Sequence, residues 1–248
     1  MIRGVIFDLG STLICTEHEH NWGAVLPRMR ADLVAHLQAA GYALDEPAFL
    51  NRLAARFDEF DRQRQTDWVE YTTGWILRTT LAEMGAPPIP PAALAEALRV
   101  YYAYSESLWR PAPGVHALLQ NLAGTGRRLA IVSNAGDAAN VDRLIDQAEL
   151  RPYFDPIIVS AAVGLRKPNP RILELALQPW GLPPAECLMV GDTLGADILG
   201  AQLAGLRNVW LTACADHPAN RAHAGTITPE AQIASLQELP ALLEKLNA

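Results

Sequence analysis

The chain has 248 residues, a formal net charge of −7, 50% hydrophobic residues and 19% charged ones. At roughly 150 residues per domain that is more than one domain's worth of chain, and the apolar content excludes an intrinsically disordered protein. The acidic balance excludes a general nucleic-acid binder or a binder of anionic membranes, since both need clustered positive charge.

In chain order, the first element is the short apolar run Val5–Phe7, which ends at Asp8. A long interval with helical periodicity follows, over Ala24–Ala40, Glu46–Arg64, Tyr71–Met84 and Pro91–Leu108. It is punctuated by Gly41, Gly85 and the Pro-rich connector at 87–91. The pattern then changes to strand-like runs separated by helix-length stretches. The strands are Leu129–Val132, Ile157–Val159, Leu188–Val190 and Val209–Leu211; the helices are Val115–Ala123, Ala138–Gln147, Pro170–Trp180 and Asp197–Ala204. Each strand run is continuously apolar, as expected for strands covered on both faces. Alternating strands and helices predict a Rossmann-like, doubly wound parallel sheet. The predicted organisation is an α/β core formed by residues 1–13 and 109–248, with residues 14–108 inserted as a helical cap.

Three cysteines, Cys15, Cys187 and Cys214, are widely spaced and form no CxxC pair, which fits a reducing cytoplasm better than a disulfide framework. No apolar run approaches the ~18–20 residues of a membrane span. The start, MIRGVIFDLG, has no basic segment ahead of an apolar one. A cytoplasmic protein without a membrane partner is expected, as a monomer or homodimer.

In sheets of this class ligands bind beyond the carboxyl ends of the strands. Asp8, Ser133 and Asp192 fall at such ends. A carboxylate at Asp8 can act as a nucleophile toward phosphorus, or serve simply as a turn or N-cap residue. Asp8 and Asp192 close together would repel, which invites a divalent cation with a taste for oxygen, such as Mg²⁺. Asp197 is either part of that cluster or the N-cap of the helix behind it. Ser133 can donate to a phosphoryl oxygen. Lys167 can set a positive charge against the reacting group or be an ordinary solvated loop charge. Arg166 reads as a surface charge.

FDLGSTL at 7–13, IVSN at 131–134, GLRKPNP at 164–170 and VGDTLGAD at 190–197 together resemble the four motifs of the haloacid dehalogenase superfamily of hydrolases. The helical interval after the first motif resembles that family's C1 cap, and residues 227–243 resemble its last strand and helix. The resemblance implies a Mg²⁺-dependent phosphatase acting on a small phosphorylated metabolite through an aspartyl-phosphate. It implies Asp8 as nucleophile, Ser133, Asn134 and Lys167 as phosphate-binding residues, and Asp8, the Gly10 main chain, Asp192 and Asp197 as metal site. One departure stands out. Where the family's phosphatases carry a second aspartate two residues after the nucleophile, this chain has Gly10. That aspartate is the family's general acid and base, and glycine has no proton to give. Three replacements are open: the cluster Glu17, His18, Glu19 and His20 behind motif one, a leaving group that needs little protonation, or loss of turnover in a phosphate-binding protein. Dehalogenases of the family also lack the second aspartate, but they attack carbon without a metal and do not have the Gly191-Asp192 pair seen here.

Overall fold

The structure, a computed structural model, describes residues 1–16 and 22–247. The elements in chain order are β1 (Gly4–Phe7), β2 (Ile14–Thr16), α1 (Trp22–Ala39), α2 (Glu46–Asp67), α3 (Thr73–Glu83), α4 (Pro91–Glu106) and β3 (Trp109–Pro111). Then come α5 (Val115–Gly124), β4 (Arg128–Ser133), α6 (Ala138–Gln147), β5 (Ile157–Val159), α7 (Ser160–Val163) and α8 (Pro170–Leu177). The chain finishes with β6 (Cys187–Gly191), α9 (Leu199–Leu203), β7 (Arg207–Leu211), α10 (Pro218–Arg221), β8 (Ala231–Ile233) and α11 (Leu239–Asn247).

Six strands form one parallel sheet in the order β5-β4-β1-β6-β7-β8. The continuous apolar runs are explained by what covers them. Val5 and Phe7, Leu129 and Ile131, and Leu188 and Val190 point to one face, packed by α5, α6 and α11. The alternate residues Ile6, Ala130, Val132 and Met189 point to the other, packed by α8 and Trp180. Burying one such side chain contributes about 1.5–3 kcal/mol, so this two-sided core holds the sheet and fixes its register.

The order places β1 between β4 and β6, with Phe7 level with both Ile131 and Val190. Asp8 continues the ladder, donating its N–H to the Val190 carbonyl at 2.9 Å. Residues just past the ends of β1, β4 and β6 therefore meet on one edge.

Two short strands border the interval read as helical: β2 at its start and β3 just past its end. β2 and β3 pair antiparallel, Ile14 with Pro111 and Thr16 with Trp109, so the chain leaves and re-enters the core through one two-stranded ribbon. Between them α1 to α4 build a separate apolar cluster, including Leu33 and Leu37, Phe49 and Leu53, Ile76 and Leu77, and Leu98 and Tyr101. Local chemistry sets the helix starts: Asp45 caps α2 through the Ala48 N–H and Thr72 caps α3 through the Trp75 N–H. The segment between α2 and α3 lies against the core. The Arg166 N–H donates to the Trp68 carbonyl at 3.1 Å, Glu70 N–H to Gly164 at 3.1 Å and Thr73 N–H to Gly136 at 2.8 Å. At the end of α4 the Glu106 carboxylate accepts from Asn140 Nδ2 and Arg143 Nε on α6, both at 2.8 Å. No helix among the described residues is long and apolar enough to cross a membrane.

Candidate active site

The sheet edge gathers Asp8, Ser133, Asn134, Lys167, Asp192 and Asp197 around one cavity of about 560 Å³, roofed by Met29, Tyr101 and Tyr102 from the helices between the ribbon strands. Gly10 and Ser11 are on its wall, and Ser11 takes the left-handed backbone conformation at φ 58°.

Lys167 is at the centre. Its side chain is 1% exposed, and Nζ contacts Asp8 Oδ1 at 2.6 Å, Asp197 Oδ1 at 2.7 Å and the Val132 carbonyl at 2.6 Å. An ammonium this buried is stable only if paired. Burial works against its charge, yet Asp197 and Asp8 outweigh that and hold its pKa above the ordinary value. Lys167 is thus a fixed cation, and the reading of it as a solvated loop charge does not hold. Two hydrogen bonds fix its backbone: Lys167 N–H to Asn134 Oδ1 at 2.8 Å and Asn134 Nδ2 to the Lys167 carbonyl at 2.9 Å. The Asn134 side chain is committed to Lys167, so what Asn134 has left for a phosphoryl oxygen is its main-chain N–H.

Asp8, Asp192 and Asp197 each place a carboxylate oxygen within 4.8 Å of the others. Burial, with Lys167 opposing and Asp197 adding, pushes the Asp8 carboxyl up from its ordinary value; burial with the charges of Asp8 and Asp197 does the same to Asp192. Three carboxylates facing one ammonium leave an excess of two negative charges, which matches a divalent cation. The donor set fits Mg²⁺: hard oxygens only, from three carboxylates held together at the sheet edge.

Asp197 does not open a helix as an N-cap. It lies inside a π-helical turn, Leu194–Ile198, and its Oδ2 accepts the Thr193 N–H at 2.9 Å. The widened turn swings the carboxylate back over β6, where a Cβ on Gly191 would collide with it. Glycine at 191 is therefore required by the close approach, not by its backbone angle.

Other residues that shape the site were given no role by the sequence reading. Thr12 Oγ1 reaches Asp192 Oδ1 at 3.4 Å, and the Asp192 carbonyl accepts from Trp210 Nε1 at 2.8 Å and Asn220 Nδ2 at 2.9 Å. Glu70, from the segment between α2 and α3, is buried and accepts from Ser160 Oγ at 2.7 Å; Ser160 in turn accepts the Ala135 N–H at 2.8 Å. Arg166 corrects the sequence reading. It is not a surface charge: its side chain is 21% exposed, faces Glu70 and lines the cavity over Asp8. The Glu17–His20 cluster lies outside the described residues.

The fold and the buried acidic cluster at this edge point to a hydrolase. A sequence model of the haloacid dehalogenase-like hydrolases matches residues 2–205, and the chain belongs to that family. It is 34% identical over 199 residues to the pyrimidine 5'-nucleotidase YjjG of Escherichia coli, covering 77% of this chain and 84% of the relative. It is 32% identical over 211 residues to the glyceraldehyde 3-phosphate phosphatase of Methanopyrus kandleri, covering 84% and 83%. Among solved structures it is similar in fold to a 2-haloacid dehalogenase from Pseudomonas syringae, with a TM-score of 0.68 at 24% identity over 99% of this chain and 100% of that one. A HAD phosphatase from Thermococcus onnurineus gives 0.64 at 23% identity over 98% of both. The curated relatives are phosphatases and a nucleotidase, which supports phosphate-ester hydrolysis as the coarse activity.

Proposed function

We propose that this protein is a Mg²⁺-dependent phosphatase of a small phosphorylated metabolite, working through an aspartyl-phosphate on Asp8 beneath a cap formed by residues 14–108. The observation that carries the reading is the Lys167 ammonium held between Asp8 and Asp197, with Asp192 completing an oxygen cluster. The Asp8–Lys167 pair would serve attack on carbon as well; Asp192, set beside Asp8 and Asp197 as a third oxygen ligand, is what favours metal-assisted phosphoryl chemistry.

Asp8, the Gly10 carbonyl, Asp192 and Asp197 would hold the metal, which when bound supplies charge neutralisation on the phosphoryl oxygens. Lys167 engages Asp8 Oδ1, orienting the carboxylate so that its other oxygen attacks phosphorus. The O–P bond forms as the ester oxygen leaves with the bonding pair. Ser133 and the Asn134 main chain bind the equatorial oxygens, and Lys167 offsets the growing charge. Water then attacks phosphorus, returns the Asp8 carboxylate and releases inorganic phosphate. Because position 10 gives no proton, esters with weakly basic leaving groups turn over fastest.

A panel of sugar, nucleotide and acyl phosphates assayed with Mg²⁺ tests this. Expected is turnover that disappears in Asp8→Asn and in EDTA and returns with added Mg²⁺. Metal-independent halide release from a haloacid would overturn it in favour of the dehalogenase chemistry, and phosphate binding without turnover in favour of a ligand-binding member.

A further inference from the structure

A second cavity, of about 750 Å³, opens on the other side of Lys167, between the end of α2 and the core. Arg64 of α2 and Trp68 just past its end wall it on one side; Asn134, Arg166, Lys167 and His223 wall it from the core. Arg166 borders this cavity and the one over Asp8 alike.

The charges around Arg166 do not balance. Its Nη1 is buried and makes no hydrogen bond, and the nearest carboxylate oxygen, Glu70 Oε2, is 3.6 Å away. That exceeds hydrogen-bonding distance. Glu70 Oε2 is already taken by Ser160 Oγ at 2.7 Å, and Glu70 Oε1 faces Arg64 Nη1 at 3.4 Å. Glu70 thus serves two guanidiniums, and the more distant Asp67, at the end of α2, adds only a weaker attraction on Arg166. The other partner of Arg64 is Asp61, whose side chain is 54% exposed, so water screens much of its charge. Burial holds both arginines below their ordinary pKa, with each still ionised. The guanidinium is not needed to dock the cap segment, because the Arg166 and Glu70 N–H groups already do that through the Trp68 and Gly164 carbonyls. What remains is an under-compensated, forked donor beside Lys167, a shape that matches carboxylate or phosphate.

We propose that Arg166, supported by Arg64, is a second anion subsite, and that the substrate is a phosphomonoester carrying a second anionic group, either a carboxylate or another phosphate. This rests on the phosphatase reading. The test compares kcat/KM, with Mg²⁺, within two pairs: 3-phosphoglycerate against glycerol 1-phosphate, and fructose 1,6-bisphosphate against fructose 6-phosphate. The wild type should favour the doubly anionic member of at least one pair by about tenfold or more, and the pair that does so separates carboxylate from phosphate. Arg166→Gln should erase most of that ratio, chiefly through KM. Arg166→Lys, which keeps the charge but loses the fork, should fall between, and it carries the test if the glutamine variant does not fold. A wild type with no preference, or an Arg166→Gln that lowers both members of each pair equally, overturns the subsite while leaving the phosphatase reading intact. A wild type that hydrolyses none of the four and none of the wider panel overturns both.

Discussion

Replacing Gly10 by Asp restores a carboxyl group at the position where the family's phosphatases keep their general acid. The structure gives room for it. A Cβ at residue 10 would have Trp109 Cη2 as its nearest neighbour, at 3.6 Å, an ordinary van der Waals contact. The left-handed backbone of this turn is taken by Ser11 at φ 58°, not by Gly10. No strain or overpacking therefore opposes the substitution, and the thermal midpoint should hold. The new group would stand on the cavity wall near a cluster already rich in negative charge. That environment raises a carboxyl pKa, which suits a group that must hold a proton until the leaving oxygen needs it. General acid catalysis contributes about 10²–10⁴-fold, or about 2.7–5.4 kcal/mol of barrier. The gain should be greatest for alkyl phosphates and small for p-nitrophenyl phosphate, whose leaving group departs without a proton. Steady-state kcat/KM on both esters, for wild type and Gly10→Asp at saturating Mg²⁺, gives the comparison. An equal change on both esters would show an effect on binding rather than on proton transfer. No gain on an alkyl ester that the wild type already hydrolyses efficiently would show that another group delivers the proton.

Three further outcomes are expected. Lys167→Met leaves Asp8 and Asp197 facing each other with no cation between them, which should cost about 3–5 kcal/mol near neutral pH along with activity; urea unfolding at about pH 8 and about pH 5 should show a smaller cost at the acid value, where the freed carboxylates take up protons. Asp8 and Asp192 have raised pKa values in the fold, so the folded metal-free protein binds more protons than the unfolded chain and loses stability as pH climbs from the ordinary carboxylate value, about 4, through the raised ones. The rise in thermal midpoint produced by Mg²⁺ should therefore be larger at about pH 8 than at about pH 5, and a rise that shrinks with pH would contradict the cluster's assignment. Gly191→Ala drives a methyl group into the Asp197 carboxyl, so Mg²⁺ affinity measured by calorimetry should fall at least tenfold, with stability lower by about 1–3 kcal/mol.

The parallel core was legible because strands buried on both faces print as continuous apolar runs, and each of the runs ending at Asp8, Ser133, Ser160 and Thr212 sits in the sheet. The borders of the helical interval were not. β2 and β3 contribute three residues each, and one contains Pro111; strands that short have no period to detect, and only their pairing across more than ninety residues makes them a ribbon. The turn at Leu194–Ile198 was hidden for another reason. A π-helical turn has no propensity signature, so the sequence left Asp197 between a place in the acidic cluster and a helix cap; its side chain reaches back toward the Lys167 ammonium.

Arg166 shows why the chemistry where the helical layer meets the sheet core was the least visible part. In the sequence it is one more charge beside a motif lysine, and a charge in a loop is normally solvated. Its meaning depends on Glu70, nearly a hundred residues earlier, and on Ser160, each unremarkable alone. Glu70 brings one negative charge to a place where two guanidiniums converge, while Ser160 ties it to Ala135, next to the loop that holds Lys167. The same carboxylate thus links the segment between α2 and α3 to both guanidiniums and, through Ser160, to the main chain beside Asn134. In the subsite proposed for Arg166, the anionic end of a substrate would add the negative charge that Glu70, shared between Arg64 and Arg166, does not fully supply.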